Sequence, residues 1–261
     1  MGVFGTYEWA AKNMNIVSGC SNNCKYCYSR EMAIRFKRKT SDSWKNEENL
    51  KSVDGMRIGH VDGKIMFPSS HDITPSNIDL SIATIGKALA KNNSLLIVSK
   101  PHIDCIKRIC NDFHDFKKQI LFRFSIGSAN NETLRFWESD APLYEERIES
   151  LKYAFNKGFD TSISCEPMLD NQISVVIEEV LPYVTNSIWV GKMNYLLRRL
   201  KMNGFTDKET LAKATQLLEW QQDSEILKIY NRYKDHPKIK WKESIKKVVD
   251  IDISEVKGLD I

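Results

Sequence analysis

The chain has 261 residues, 42% of them hydrophobic, with 38 Lys and Arg against 34 Asp and Glu and a formal net charge of +4. This size and apolar content suit an α/β domain of about 200 residues (1–200) followed by a smaller, basic, helical extension (201–261) packed on it. No apolar run approaches the ~18 residues of a membrane span, and so mild a charge does not by itself define a nucleic-acid binder. Residues Gly2 to Thr6 lack the basic and apolar regions of a secretion signal, so a reducing cytoplasm is the expected compartment.

In chain order, Asn15 to Ser18 predicts a short strand that delivers the loop Gly19-Cys20-Ser21-Asn22-Asn23-Cys24-Lys25-Tyr26-Cys27-Tyr28, and Lys25 to Lys37 is then helical. Lys64 to Pro68 predicts a second strand, and Thr74-Pro75 opens a helix with Ile78, Ile82, Ile85 and Leu89 on one face. Leu95 to Ser99 is a third strand, followed by a helix marked by Ile103, Ile106, Ile109 and Phe113. Ile120 to Ile126 is a fourth, followed by a helix with Ile148, Leu151, Ala154 and Phe155 inward, stopped by Gly158. Thr161 to Cys165 and Ser187 to Gly191 are the fifth and sixth strands, with Val175 to Val184 mostly helical between them. Alternating strands and helices imply a parallel sheet with crossover helices. In the extension, Thr206 to Glu209 form a capping box before a helix. Lys238, Lys240, Lys242, Lys246 and Lys247 follow around Trp241, either as a phosphate-contacting stretch or as a solvated face with the ring packed inward.

The chemistry is concentrated in the cysteine loop. Its spacing is Cys-x3-Cys-x2-Cys, with Tyr26 just before the last thiol. Three soft thiolates on one loop suit three irons of a 4Fe-4S cube and leave the fourth iron without a protein ligand. A structural zinc site normally closes with four ligands, often from two Cys-x2-Cys pairs, and only Cys24 and Cys27 form such a pair. Cys105 and Cys110, on a helix with Ile106 and Ile109, read as buried structural thiols.

This motif resembles the signature of the radical S-adenosylmethionine (SAM) superfamily. The resemblance, over about residues 7 to 195, implies a partial (β/α)6 TIM-like barrel with its reactive groups at the C-terminal ends of the strands. It implies a 4Fe-4S cluster on Cys20, Cys24 and Cys27, with SAM chelating the open iron and being cleaved reductively to a 5′-deoxyadenosyl radical. It also implies an electron donor such as flavodoxin or ferredoxin. By the same resemblance Tyr26 lies near the adenine. Ser70 and Asp72, after the second strand, are candidates for SAM's amino group. Lys100, after the third, and Arg147, on the helix after the fourth, are candidates for its carboxylate, and Ser125 for its ribose. Arg147 has no acidic residue three or four positions away in its helix to occupy it.

Period two in Ser162-Ile163-Ser164-Cys165-Glu166 puts Ser162, Ser164 and Glu166 on one face and Ile163 and Cys165 on the other. Glu166 is the candidate substrate contact, and Lys192 and Asn194 face the same mouth. Within the superfamily the pattern looks most like the spore photoproduct lyase and DNA-repair-lyase-like branch, which implies a nucleic-acid base or nucleotide as substrate. One departure is that the loop after the second strand carries Ser69 and Ser70 and no hydrogen-donating cysteine. Cys165 or a tyrosine is the candidate replacement. Modification of a peptide or small metabolite, and a non-catalytic cluster or zinc module, are the alternatives.

Overall fold

The computed structural model describes residues 2–53 and 55–259. The first strand, β1 (Lys12–Asn13), is followed by β2 (Val17–Ser18), α1 (Tyr28–Arg35) and β3 (Glu48–Asn49). Then come β4 (Lys64–Phe67), α2 (Ile78–Leu89), β5 (Ser94–Ser99), α3 (Ile103–Asp112) and β6 (Ile120–Ser125). Two helices, α4 (Asn131–Trp137) and α5 (Tyr144–Asn156), precede β7 (Asp160–Cys165), and α6 (Ile173–Val180) precedes β8 (Ile188–Val190). The C-terminal part holds α7 (Leu196–Asn203), α8 (Lys208–Glu219), α9 (Asp223–Tyr233), β9 (Ile239–Trp241) and α10 (Glu243–Lys246).

Seven strands form one sheet in the order β1-β4-β5-β6-β7-β8-β9, every pair parallel. The six expected strand–helix units are there, and the fold is a partial TIM-like barrel. Two details differ from the sequence reading. The first barrel strand is Lys12–Asn13, not Asn15 to Ser18. After Met14 donates to the Met66 carbonyl at 2.9 Å, the chain leaves the sheet, and Val17–Ser18 pairs antiparallel with Glu48–Asn49. That departure frees Asn15, whose Oδ1 accepts from the backbone N–H groups of Ser69 and Ser70, both at 2.8 Å. The second difference is β9. The extension is not wholly helical: Ile239 and Trp241 bury themselves and the strand adds to the sheet beside β8.

Side-chain alternation divides the sheet as period two requires. Ile65, Phe67, Leu95, Ile97, Phe122, Phe124, Ile163 and Cys165 face the helices and form the main core with Ile106, Ile109, Ile148 and Leu151. Met66, Leu96, Val98, Leu121 and Trp189 face the barrel interior and close around Trp9. Inside the barrel Arg123 is fully buried, its Nε donating to Ser162 Oγ at 2.9 Å and its guanidinium 4.7 Å from the Trp9 ring centroid. Arg123 and Trp9 together plug the interior, and the cavity is lined from the C-terminal strand ends.

Val3 donates to the Ser254 carbonyl and Gly258 to the Tyr7 carbonyl, both at 2.8 Å, so residues 3–8 and 254–258 run together.

Candidate active site

The cysteine loop is held from several sides. Cys20 donates its backbone N–H to the Trp44 carbonyl at 3.0 Å and Lys25 to that of Trp137 at 2.9 Å. Arg30 reaches Asn23 Oδ1 at 3.0 Å and the Ser41 carbonyl at 2.7 Å. Cys27 caps α1, its sulfur accepting the Arg30 N–H at 3.4 Å. Glu47 ties the loop to the start of α2 by accepting from Ser21, Thr74, Ser76 and Asn77. Burial would raise its carboxyl, but these donors hold it below the usual carboxylate range.

All three thiols are free, and burial pushes each of them up. Bare, they are therefore held neutral. A metal centre supplies the compensating positive charge and deprotonates its thiol ligands, so three soft donors around one space, Cys20 and Cys24 buried and Cys27 half-buried, fit an iron–sulfur cluster. Among the described residues no group of three or more His, Cys, Asp or Glu converges as for a single metal ion. A cluster distributes its thiolates over several irons, so its ligands surround a volume rather than a point.

Beside the cysteines runs a buried charged network. Asp72 accepts from the Lys100 N–H at 2.8 Å, Asn22 Nδ2 at 2.9 Å and Ser99 Oγ at 3.1 Å, and lies 3.7 Å from the Lys100 ammonium. Burial alone would raise the Asp72 carboxyl; Lys100 and these donors outweigh it and hold the group below its ordinary value. The Lys100 ammonium is also 3.9 Å from Glu138, to which the Tyr26 hydroxyl donates. Arg147 completes the chain, donating to Glu138 at 2.6 Å, to the Ser125 carbonyl at 3.1 Å and to the Pro142 carbonyl at 2.7 Å.

One cavity of about 730 Å3 collects these groups. Cys20, Cys24, Cys27, Tyr26, Ser70, Asp72, Lys100 and Ser125 line one part of it, and Ser164, Glu166, Lys192, Asn194 and Lys242 another. On this second wall the Lys242 ammonium lies 2.5 Å from Glu8, 3.6 Å from Glu166 and 3.7 Å from Glu243, and donates to the Gly5 carbonyl at 3.0 Å. Gly191, at the end of β8, makes the contact possible: a Cβ there would come within 2.9 Å of both the Glu166 and the Lys242 side chains. Burial raises the Glu166 carboxyl above its ordinary value, with Lys242 pulling the other way.

The structure thus brings Cys20, Cys24, Cys27, Tyr26, Ser70, Asp72, Lys100, Ser125 and Glu166 to one cavity. It corrects two expectations. Arg147 is fully buried and does not line the cavity. Its acidic partner, Glu138, lies nine residues upstream rather than one helical turn away, so Arg147 positions Glu138 and the end of β6 instead of gripping a ligand. Cys165 is also fully buried and faces the helices, because alternation sends it opposite to Ser164 and Glu166. It does not line the cavity. The lysine-rich stretch is not a continuous surface patch: Lys242 and Lys246 are buried and Trp241 packs against Tyr230. His71 accepts the Ile16 N–H on Nε2 at 3.2 Å and so braces the chain entering the cysteine loop.

Sequence reasoning missed Asn15, Glu47, Glu138, Glu8 and Lys242. Each acts through residues far away in the chain, and none sits in a recognisable spacing.

The radical SAM superfamily model matches residues 14–172, more than half of the chain. With the cysteine loop at the C-terminal mouth of a parallel partial barrel, this defines the protein class: the chain belongs to the radical SAM superfamily and is an enzyme. No curated protein matches. Among solved structures, a tyrosine-to-phenylalanine variant of spore photoproduct lyase is similar at 12% identity and a TM-score of 0.55, covering 79% of this chain and 64% of the other. A cysteine-to-alanine variant of the same lyase with dinucleoside spore photoproduct gives 12%, 0.53, 79% and 64%. SuiB of Streptococcus suis bound to S-adenosylmethionine gives 12%, 0.50, 91% and 52%. The chain therefore spans less than two thirds of each of these structures, and at such identities the likeness is one of fold. Among the described residues no helix is long and apolar enough to cross a membrane.

Proposed function

We propose that the protein holds a 4Fe-4S cluster on Cys20, Cys24 and Cys27, binds SAM against Tyr26, Asp72, Lys100 and Ser125, and acts on a nucleic-acid base or nucleotide placed against Glu166. The observation that carries this reading is that the three thiols and the ends of β4, β5, β6 and β7 open into one cavity. When bound, the cluster and SAM supply one-electron cleavage of the sulfonium. The chain's own part is to present the three thiols, to set the Asp72–Lys100–Glu138 charges around the cofactor space, and to keep water out behind the Arg123 plug. Because Lys100 has two carboxylate neighbours, Asp72 and Glu138, it is held charged where an anionic group of SAM would meet it.

Two observations support a nucleotide: the lyase relative whose structure holds a dinucleoside, and the cations Lys192, Arg199 and Lys247 on the cavity's lining. A second reading, a small metabolite or short peptide segment, is favoured by β9, which adds a strand beyond β8, and by the N-terminal turn, which lines the cavity.

The test is anaerobic reduction of the cluster-loaded protein with SAM, with a flavodoxin or ferredoxin as electron donor, and chromatography for 5′-deoxyadenosine. The nucleoside is expected. Added DNA, RNA or nucleotides should stimulate its formation and acquire a modified base, whereas stimulation only by peptides or metabolites would favour the second reading. A loaded protein that never forms the nucleoside would refute the radical chemistry.

A further inference from the structure

Tyr195 stands in a conformation that a bulky residue rarely adopts. Its φ is 55° and ψ 31°, in the left-handed region that favours glycine. Such strain persists where the surroundings over-determine it and collects at functional sites. The ring is not driven there by burial: it is 67% exposed and lies on the lining of the cavity. Six aromatic residues are prominently exposed among the described residues, and three of them, Phe4, Tyr28 and Tyr195, line this one cavity.

Two of the three are backed by cations. The Arg198 guanidinium lies 4.6 Å from the Tyr195 ring centroid and that of Arg199 at 6.0 Å. Both arginines share one carboxylate, Glu31, at 3.0 and 3.7 Å, which leaves a net positive charge beside the ring. Across the cavity the Lys247 ammonium lies 4.9 Å from the Phe4 centroid. Exposed rings with adjoining cations provide stacking faces for bases and charge for phosphates, the combination that single-stranded nucleic acid needs.

We propose that Tyr195 and Phe4 form a stacking rim at the cavity mouth. The rim takes the unpaired bases flanking the nucleotide that enters the barrel, while Arg198, Arg199 and Lys247 meet the phosphates. This rests on the reading of a nucleic-acid substrate and narrows it to single-stranded or locally opened chains. Duplex bases have their faces already stacked and offer none to the rim.

The test is fluorescence anisotropy with a short labelled oligodeoxythymidylate and the cluster-loaded protein at low salt. The wild-type protein is expected to bind it and to prefer it over a duplex of equal length, with affinity falling as salt rises. Tyr195→Ala and Phe4→Ala should each weaken binding by about 5- to 100-fold, the effect of losing one stacked base, and Tyr195→Phe should retain it. Tyr195→Gly guards against misfolding, because it relieves the left-handed strain; it should keep the wild-type melting temperature and still lose affinity. Unchanged binding in Tyr195→Ala and Phe4→Ala would overturn the rim and leave the nucleic-acid reading standing. Failure of the wild-type protein to bind any oligonucleotide or mononucleotide at low salt would remove both.

Discussion

The two walls of the cavity are built differently. On the cysteine side, charges are matched nearly one to one in a chain, Asp72 to Lys100 to Glu138 to Arg147, and most donors are backbone or short side chains from neighbouring strand ends. On the other side one lysine, Lys242, is ringed by three carboxylates supplied by the N-terminal turn, the residue after β7 and the first residue of α10. The first wall lies wholly within residues 14–172, the stretch the superfamily model matches. The second joins residues more than two hundred positions apart. Of Lys242 and its three carboxylates only Glu166 lies within that stretch; Glu8, Lys242 and Glu243 lie outside it.

The sharpest way to break this comparison is to remove a ligand from the first wall. Cys24→Ala should lose the cluster and all formation of 5′-deoxyadenosine, since two thiolates hold a cube poorly. Iron and sulfide analysis after anaerobic reconstitution checks it. A full complement of cluster iron in that variant would show that the ligands are misassigned.

Lys242→Met attacks the second wall. The ammonium is 1% exposed, and its removal leaves Glu8, Glu166 and Glu243 buried without their cation. Breaking a buried pair by removing one partner costs about 3–5 kcal/mol, to be read by urea unfolding at neutral pH. The cysteine loop does not depend on this lysine, so the variant should still take up iron. Loss of the cluster in Lys242→Met would mean that the two walls are not separable.

A smaller effect is expected at Arg147. Lysine keeps the charge but cannot serve the Pro142 and Ser125 carbonyls and Glu138 together. Arg147→Lys should cost about 1–3 kcal/mol of stability, the usual penalty for an unmet buried group, and weaken SAM binding through Glu138 and Tyr26. Calorimetric titration of SAM into the loaded variant tests it; an unchanged affinity would confine Arg147 to a purely structural role.

The same division explains what could be read from sequence. The cysteine loop, the core strands and the alternation in β7 are local patterns, and Ser164 and Glu166 fell on the expected face because period two follows directly from strand geometry. The partner of Arg147 lies outside its own helix: the segment ending α4 brings Glu138 back against it, beyond the reach of a one-turn rule. β9 was hidden in plain view: Lys238-Ile239-Lys240-Trp241-Lys242 alternates as a strand does, but five lysines in ten residues read as a charged surface. Lys242 gains its place only through parallel pairing of β9 with β8, a contact no local rule contains.

The finest distinction between the walls is their response to pH. Burial, reinforced by a hydrogen bond with Glu243, pushes the Glu8 carboxyl up to about 8 from its ordinary 4.5, against the opposing pull of Lys242. Glu243 moves the other way: burial would raise it, but Glu8, Lys242 and other donors hold it below its ordinary value. Near neutrality, therefore, Glu8 is the protonated partner and donates to ionised Glu243. A carboxyl raised in the folded state stabilises fully below its unfolded value and loses that stabilisation as pH rises through its folded value. The contribution of Glu8 is therefore complete below about pH 4.5 and lost by about pH 8 and above, while Glu243 changes only on the acid side of this window. Glu8→Gln keeps a donor for Glu243 and an acceptor for Lys242 at every pH. Its melting temperature should match that of the wild-type protein near pH 4, already exceed it at pH 6 and exceed it most at pH 8 and above, at about 2–4 °C per kcal/mol for a chain of this size. Parallel melting curves for the two proteins from pH 6 to 9 would place the proton elsewhere than between Glu8 and Glu243.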